Sequence, residues 1–265
     1  MKPVLSIIIP CYNSESTLEE TLTSVKNQIF ENWEAIIIND GSPDNLETIA
    51  LEWVTKDDRF RYYKKENGGL GDARNFGIEK AKGIYILPLD SDNKIRPDFA
   101  VKAISKMEIS ESIGVVYGDA QYFGEKTGKW KVGKFDKFRM LEHNYIDACA
   151  IIRKSVFDIV DNYDTNLPYQ GHEDWDLWLR CIENRIEFNY LEEVTFDYRV
   201  TSNSMIKGFD KEMMKENILY IKKKHFSMYI NAFSLIFSQL GKLTKEKEKY
   251  NKSLIFKFFK KIKIF

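Results

Sequence analysis

Two carboxylates one residue apart, in Asp90-Ser91-Asp92, stand just beyond the apolar run of residues 84–87, after Pro88-Leu89. A loop at the end of a strand can aim such a pair at a divalent cation, and oxygen ligands suit Mg²⁺ or Mn²⁺. The cation would in turn hold a diphosphate. A bare Asp-x-Asp also looks like a solvated turn. Its weight lies in its place, between an apolar run and the helix start Asn93-Lys94-x-x-Pro97. Asp40, in Asn39-Asp40-Gly41-Ser42, sits in the same way after the apolar residues 35–38. It can accept a hydrogen bond from a nucleotide base, or it can form an Asx-turn that starts the next helix. Gly68-Gly69-Leu70-Gly71-Asp72-Ala73-Arg74 leads into a helical stretch. It is not the phosphate loop that ends in Gly-Lys-Ser/Thr, nor the dinucleotide fingerprint, which follows the first strand. The turn at Gly69 can still approach phosphates, with Arg74 adding positive charge, or it can be a flexible connector. Glu173-Asp174-Trp175-Asp176 gathers three acids around one indole. A carboxylate beside an aromatic face offers a sugar a proton acceptor and an apolar surface. An acidic helix start with Trp175 and Trp178 in the core accounts for the same residues.

These residues need elements to place them. The β-rich run of residues 4–9, ended by Pro10, reads as a buried strand, and residues 35–38, 60–63 and 84–87 read as three more. Helices are expected between them: one opened by a Ser16/Glu19 capping box, one over about 45–55, and one through Ala73, Phe76, Ile78 and Ala81. Four strand–helix alternations imply an α/β fold, a mostly parallel twisted sheet with helices on both faces, and ligands beyond the strands' carboxyl ends. Later, residues 114–123 and 129–134 read as strands and 174–183 as a helix, and from Lys211 the chain is helical and basic. The expected organisation is a domain over 1–208, in halves 1–110 and 111–208, followed by a helical extension over 209–265.

The chain has 265 residues, 43% hydrophobic and 14% aromatic, which excludes global disorder. Lys+Arg and Asp+Glu are both 40, so nothing points to a nucleic-acid partner. Cys11, Cys149 and Cys181 form no C-x-x-C pair and read as free thiols in a reducing compartment, which implies a cytoplasmic protein. No run approaches the roughly 18 apolar residues of a membrane span. The last 25 residues, 241–265, carry nine Lys and two Glu, a net charge of 9 − 2 = +7, interleaved with Phe256, Phe258, Phe259, Ile262 and Phe265. Such a segment suits the cytoplasmic face of an anionic membrane, or a protein partner.

Order and spacing unite the motifs. Ser6-Ile7-Ile8-Ile9-Pro10-Cys11-Tyr12-Asn13 resembles the opening of the family 2 glycosyltransferases. So do Asn39-Asp40-Gly41-Ser42-Pro43-Asp44, Ala73-Arg74-Asn75-x-Gly77, the run from Gly83 to Asp92, Glu173-Asp174-Trp175-Asp176-Leu177-Trp178-Leu179-Arg180, and Tyr198-Arg199, in that family's order. The resemblance implies a GT-A fold and an inverting, metal-dependent enzyme. It would move a sugar from a nucleotide-sugar, UDP-sugar foremost, to a saccharide or lipid-linked saccharide. By the same resemblance Pro10, Tyr12, Glu15, Asp40, Gly69, Arg74, Asp90 and Ser91 line the donor pocket. Asp92 and Asp90 hold Mn²⁺ or Mg²⁺, Asp174 is the general base, and Glu173 and Trp175 meet the acceptor. Asn93 replaces the family's last motif Asp, and residues 200–204 lack the His that often follows the Tyr-Arg pair, leaving Asn203, a hydroxyl or water as a third metal contact. Trp130, Asn144 and Asp147 fall on the acceptor side without an assigned role. A nucleotidyltransferase would carry a Gly-rich loop where Cys11-Tyr12-Asn13-Ser14-Glu15 stands. A non-catalytic binding module would have lost the acids that Asp90, Asp92 and Asp174 supply.

Overall fold

The computed structural model describes residues 2–202 and 208–252. The first half alternates as the periodicity implies: β1 (Leu5–Cys11), α1 (Leu18–Lys26), β2 (Trp33–Asp40), α2 (Leu46–Lys56), β3 (Phe60–Lys65), α3 (Leu70–Lys80) and β4 (Tyr85–Pro88). β1 pairs in parallel with both β2 and β4, and β2 with β3. Strands covered on both faces read as near-continuous apolar runs, and β1 and β2 are buried throughout. Leu5, Ile7 and Ile9 join Trp33, Ala35 and Ile37 in a core with α1 and α2. On the other face a Cβ at Gly77 of α3 would come 2.4 Å from Ile8 Cγ2, so only glycine lets this helix lie so close to the sheet.

The second half is looser in sequence and mixed in pairing. It runs β5 (Lys94–Ile95), α4 (Phe99–Ile109), β6 (Ile113–Gly124), β7 (Gly128–Trp130), α5 (Lys137–Glu142), β8 (Ile151–Arg153), α6 (Lys154–Val160), α7 (Glu173–Glu183) and β9 (Glu187–Val200). The strands form one sheet in the order β3-β2-β1-β4-β8-β6-β9-β5, with β7 against β6. β8 runs antiparallel to β4 and β6, while β9 runs parallel to β6. The sheet is therefore parallel on its first side and mixed on its second.

Two local expectations change. α1 opens after Thr17 with no side-chain cap: the Thr17 hydroxyl donates to the Ser91 carbonyl at 2.9 Å, and Glu19 accepts from Trp53 Nε1 at 2.7 Å. The cap position is therefore Thr17 rather than Ser16, and Glu19 of the expected Ser16/Glu19 pair is spent on a tertiary contact. The strand expected over 129–134 stops at Trp130, because the buried Asp119 carboxylate takes the Val132 N–H at 2.9 Å in place of a strand partner.

Two helices follow, α8 (Lys211–Lys224) and α9 (Phe226–Lys252). The chain divides into two compact units, Met1–Tyr220 and Ile221–Phe265, so the boundary falls within α8. No helix among the described residues is long and apolar enough to cross a membrane.

Candidate active site

Parallel pairing brings the ends of β1, β2 and β4 to one edge, and the loops that follow carry residues 11–15, 39–44 and 89–93. Side-chain hydrogen bonds lace them together. Ser42 Oγ accepts the Asn13 N–H at 2.8 Å, and Asp44 accepts the Glu15 N–H at 2.7 Å. Glu15 in return accepts the Asn45 N–H at 3.2 Å. Asn13 adopts a left-handed φ of 53°, which turns Tyr12 outward to 52% exposure. Pro10 is buried within β1 and fixes the floor beneath these loops. Ser14 and Ser91 share a 2.7 Å hydrogen bond, joining the first loop to the Asp90-Ser91-Asp92 loop.

Asp40 organises the glycine loop. Its Oδ1 accepts from Lys65 Nζ at 2.7 Å and from the Gly68 N–H at 3.0 Å, and its Oδ2 accepts the Gly69 N–H at 2.8 Å. A carboxylate offers about four acceptor sites. Three are used, which leaves one on Oδ2. Gly69 has φ 89°, and a Cβ there would meet Gln170 Nε2 at 2.3 Å. Gln170 Oε1 accepts the Leu70 N–H at 2.9 Å, so the start of α3 is tied to the loop before α7. Asn75 makes the same connection twice, with both Asn75–Tyr163 backbone bonds at 2.8 Å.

At the centre lies Arg74. Only 2% exposed, it donates from Nη2 to Asp90 Oδ1 at 2.7 Å and stacks 5.3 Å from the Tyr163 ring. Burial opposes its charge, but Asp90, Tyr163, Glu173 and Asp174 more than offset this and hold it cationic. Its Nε has no hydrogen-bond partner among the described residues. Burial and then the charge of Asp90 push the Asp92 carboxyl up to about 6, with Arg199 pulling the other way. Arg199 also positions that loop: its Nε donates to the Asp92 carbonyl and its N–H to Asn93 Oδ1, each at 2.9 Å. Asn93 thus serves the loop as an acceptor, a role an aspartate could share.

Asp174 stands at the start of α7. Its Oδ2 accepts from Asn144 Nδ2 at 2.8 Å and its Oδ1 from its neighbour's Trp175 N–H at 2.9 Å. Burial raises its carboxyl to about 6, moderated by Arg74 and then Asn144. Asp147, in the segment before β8, is raised to about 8 by burial and then by Asp90. The electrostatics therefore bring Asp90, Asp147, Asp174 and Arg74 into one cluster.

The two residues expected to meet an acceptor are closed to it. Glu173 and Trp175 are each only 3% exposed. Glu173 accepts the Gly171 N–H at 2.8 Å, and the Trp175 indole donates to the Met140 carbonyl at 2.7 Å. They build the helix start rather than a sugar platform. Asp176 is fully buried and paired with Arg180 at 2.8 Å. Tyr163 and Gln170 carry no signature in the sequence, and only the fold brings them to the site; Asn144, placed on the acceptor side without a role, gains one from its bond to Asp174. Asn203, named as a third metal contact, lies outside the described residues.

A divalent cation fits the donor set on its chemistry. Asp90 and Asp92 are hard oxygen donors that repel one another, and Asp90 Oδ2 is not used by Arg74. Among the described residues no cluster of three or more acids, His or Cys forms a complete cage. A two-carboxylate site completed by substrate phosphates and water is the usual arrangement for Mg²⁺.

The model of the family Glycosyl transferase family 2 matches residues 6–160, more than half of the chain. The chain belongs to that family. It is 31% identical over 249 residues to an uncharacterized glycosyltransferase of Rickettsia typhi, covering 83% of this chain and 76% of the relative. A second uncharacterized glycosyltransferase, from Methanocaldococcus jannaschii, is 28% identical over 256 residues, covering 90% and 87%. Among solved structures, S. aureus TarS 1-349 in complex with UDP-GlcNAc gives a TM-score of 0.69 at 18% identity, covering 80% of this chain and 64% of that one. The chain thus spans just under two thirds of that fragment. The mannosyltransferase PcManGT of Pyrobaculum calidifontis, in complex with GDP-Man and Mn2+, gives 0.60 at 13% identity, covering 98% and 83%. At these identities the two structures establish the shared GT-A fold, and the family assignment makes the protein a glycosyltransferase.

Substituting Arg74→Met should leave the surrounding acids uncompensated. The expected loss is about 2–3 kcal/mol, below the about 3–5 kcal/mol of a fully buried pair because the Asp90 side chain is 32% exposed. Asp174, raised to about 6 by burial although Arg74 holds it down, takes up a proton below that pH, so the loss should be smaller at pH 5 than at pH 8. Urea unfolding at both pH values measures it, and equal losses would mean that Arg74 does not act through charge.

Proposed function

We propose that this glycosyltransferase moves a sugar from a nucleotide-sugar, a UDP-sugar foremost, to a hydroxyl of a saccharide or lipid-linked saccharide, with inversion. One observation carries the reading. Asp90, in the loop after β4, and Asp174, at the start of α7, both act on the buried Arg74, and Asp92 stands beside Asp90. A carboxylate pair for a diphosphate and a separate carboxylate for an acceptor are what a single in-line displacement requires. The UDP-GlcNAc and GDP-Man named for the two solved structures support a nucleotide-sugar donor. Exposed Tyr12 would lie against the base, and the free site on Asp40 would accept a base N–H.

Asp174 takes the proton from the acceptor hydroxyl as that oxygen attacks the anomeric carbon. The bond from that carbon to the diphosphate oxygen breaks on the opposite face, and the nucleoside diphosphate leaves with the electron pair. One displacement inverts the anomeric centre, and no enzyme nucleophile is needed. Arg74 keeps the acids from repelling one another and adds positive charge near the departing phosphates. Asp92 and Asp90 would hold Mn²⁺ or Mg²⁺, whose Lewis acidity neutralises the leaving diphosphate.

The role proposed is in surface polysaccharide or glycolipid assembly, and the C-terminal region supports its placement at the cytoplasmic face of an anionic membrane. The interleaved lysines and phenylalanines of 253–265 lie outside the described residues. α9 itself supports the reading. Phe226, Ile230, Phe233, Phe237 and Leu240 recur at helical spacing along it, each at least 46% exposed. No acid occurs between Glu216 and Glu246, while Lys222, Lys223, Lys224, Lys242 and Lys245 do. An apolar stripe free of acids, with lysines before it on α8 and after it on α9, fits anionic lipid.

Release of UDP from a panel of UDP-sugars with Mn²⁺ tests the catalytic reading. Asp92→Ala should abolish it, and so should excess EDTA. Asp174→Asn should lose about 10²–10⁴-fold in kcat with donor affinity unchanged. Because the base acts only when ionised, wild-type turnover should rise with pH through about 6. Full activity in EDTA would remove the metal role, and near-normal turnover of Asp174→Asn would remove the base.

Membrane docking is a separate expectation. The full chain should float with vesicles containing phosphatidylglycerol and not with neutral ones, and Phe233→Glu with Phe237→Glu should weaken this. Equal recovery with both vesicle types, or none with either, counts against it.

A further inference from the structure

Resting on the reading of Asp174 as base, we infer that Asn144 is its positioning residue: the amide fixes the carboxylate's orientation and keeps it ionised near neutral pH. Asn144 has no motif around it, yet its Nδ2 lies 2.8 Å from Asp174 Oδ2. The orientation of its amide is determined by its neighbours. Its Oδ1 accepts the Ile146 N–H at 3.3 Å, which leaves Nδ2 as the group facing the carboxylate. The segment that carries Asn144 is fastened to the helix that carries Asp174. The Trp175 indole donates to the Met140 carbonyl at 2.7 Å, and the Trp178 indole to the Ile146 carbonyl at 2.9 Å. Both bonds are buried and bracket Asn144, so donor and acceptor move as one body.

With Asn144 on Oδ2 and the Trp175 N–H on Oδ1, each carboxylate oxygen holds one internal donor. Each keeps one acceptor site, and the carboxylate cannot rotate without losing both bonds. Asp174 also faces Arg74 from α3, Asp90 from the loop after β4, Asp147 from the Asn144 segment, Tyr163 from the loop before α7, Tyr198 of β9 and Glu173 on its own helix. Most of these are acids or phenols, and burial adds to them in opposing ionisation. Arg74 already pairs with Asp90, which leaves Asn144 as the side chain that hydrogen-bonds the charged form of Asp174. A donor to a carboxylate favours its ionised state.

The test is the pH profile of UDP release from UDP-sugars with Mn²⁺, where water or a sugar accepts. In Asn144→Ala the acid limb should move up by about one pH unit, the worth of one charge-assisted hydrogen bond. Turnover should then fall several-fold near pH 6 and return to within about twofold of wild type above pH 8. Asn144→Asp, which places a like charge against Asp174, should move the limb further. KM for the donor should not change. Thermal unfolding shows whether each variant is folded, and Asn144→Ser supplies a smaller perturbation should Asn144→Ala fail to fold. An unmoved limb in a folded variant, whether activity is intact or uniformly lowered, overturns the inference. If Asp174→Asn is inactive while the limb stays put, only the role of Asn144 falls; if Asp174→Asn is active, the base reading falls and this inference with it.

Discussion

A buried guanidinium among acids is the constraint on which the site depends. Arg74 is almost wholly buried, and Asp90, Glu173 and Asp174 all act on it. Taking one cation out of water is costly unless its partners are well placed. Here those partners come from three separate places: the loop after β4, the start of α7, and the aromatic face of Tyr163. The sheet brings the first of them close to α3. Asn75, reaching from α3 to the segment before α7, and Gln170, reaching back from that segment to the start of α3, bring the others. Without that charge at the centre, nothing would let so many carboxylates gather at one edge of the sheet.

The first half of the fold and the order of its motifs were legible because they are local. A run such as residues 4–9 has few ways to fold, and a glycine turn after a strand has fewer. Asp40, Arg74, Asp90 and Asp92 could be named because parallel pairing sends every strand end to the same edge. The second half was harder for a physical reason. β8 and β9 cross the sheet to partners far away in sequence, and the short β8 has no periodicity to show. Asn144 and Tyr163 matter through tertiary contacts alone. Trp175 looked like a sugar platform beside a carboxylate, but an indole can equally serve as a buried donor, and burial decides between the two.

Conserving space matters as much as conserving charge. Gly77 lets α3 lie against Ile8, and Gly69 leaves room for Gln170. Both glycines act on the helix that carries Arg74, one from below and one from its first turn. The chemistry of the guanidinium is therefore set by two residues that have no side chain at all.

Arg199 extends this logic along the chain. Residue 199 holds the backbone and side chain of residues 92 and 93, and it pairs with Glu20 at 3.0 Å. The family match ends at residue 160, well before this clasp and before α7. A fragment cut there would keep four parallel strands and lose the partner that shapes their acidic loop. During synthesis the same holds in time. The strand-end aspartates emerge early, but their loop can close only after β9 has left the ribosome and paired with β6 across a large loop of chain, which is a slow kind of contact to form. The nascent protein can thus build its nucleotide-side scaffold early and still be unable to complete its acidic loop until some two hundred residues have been made.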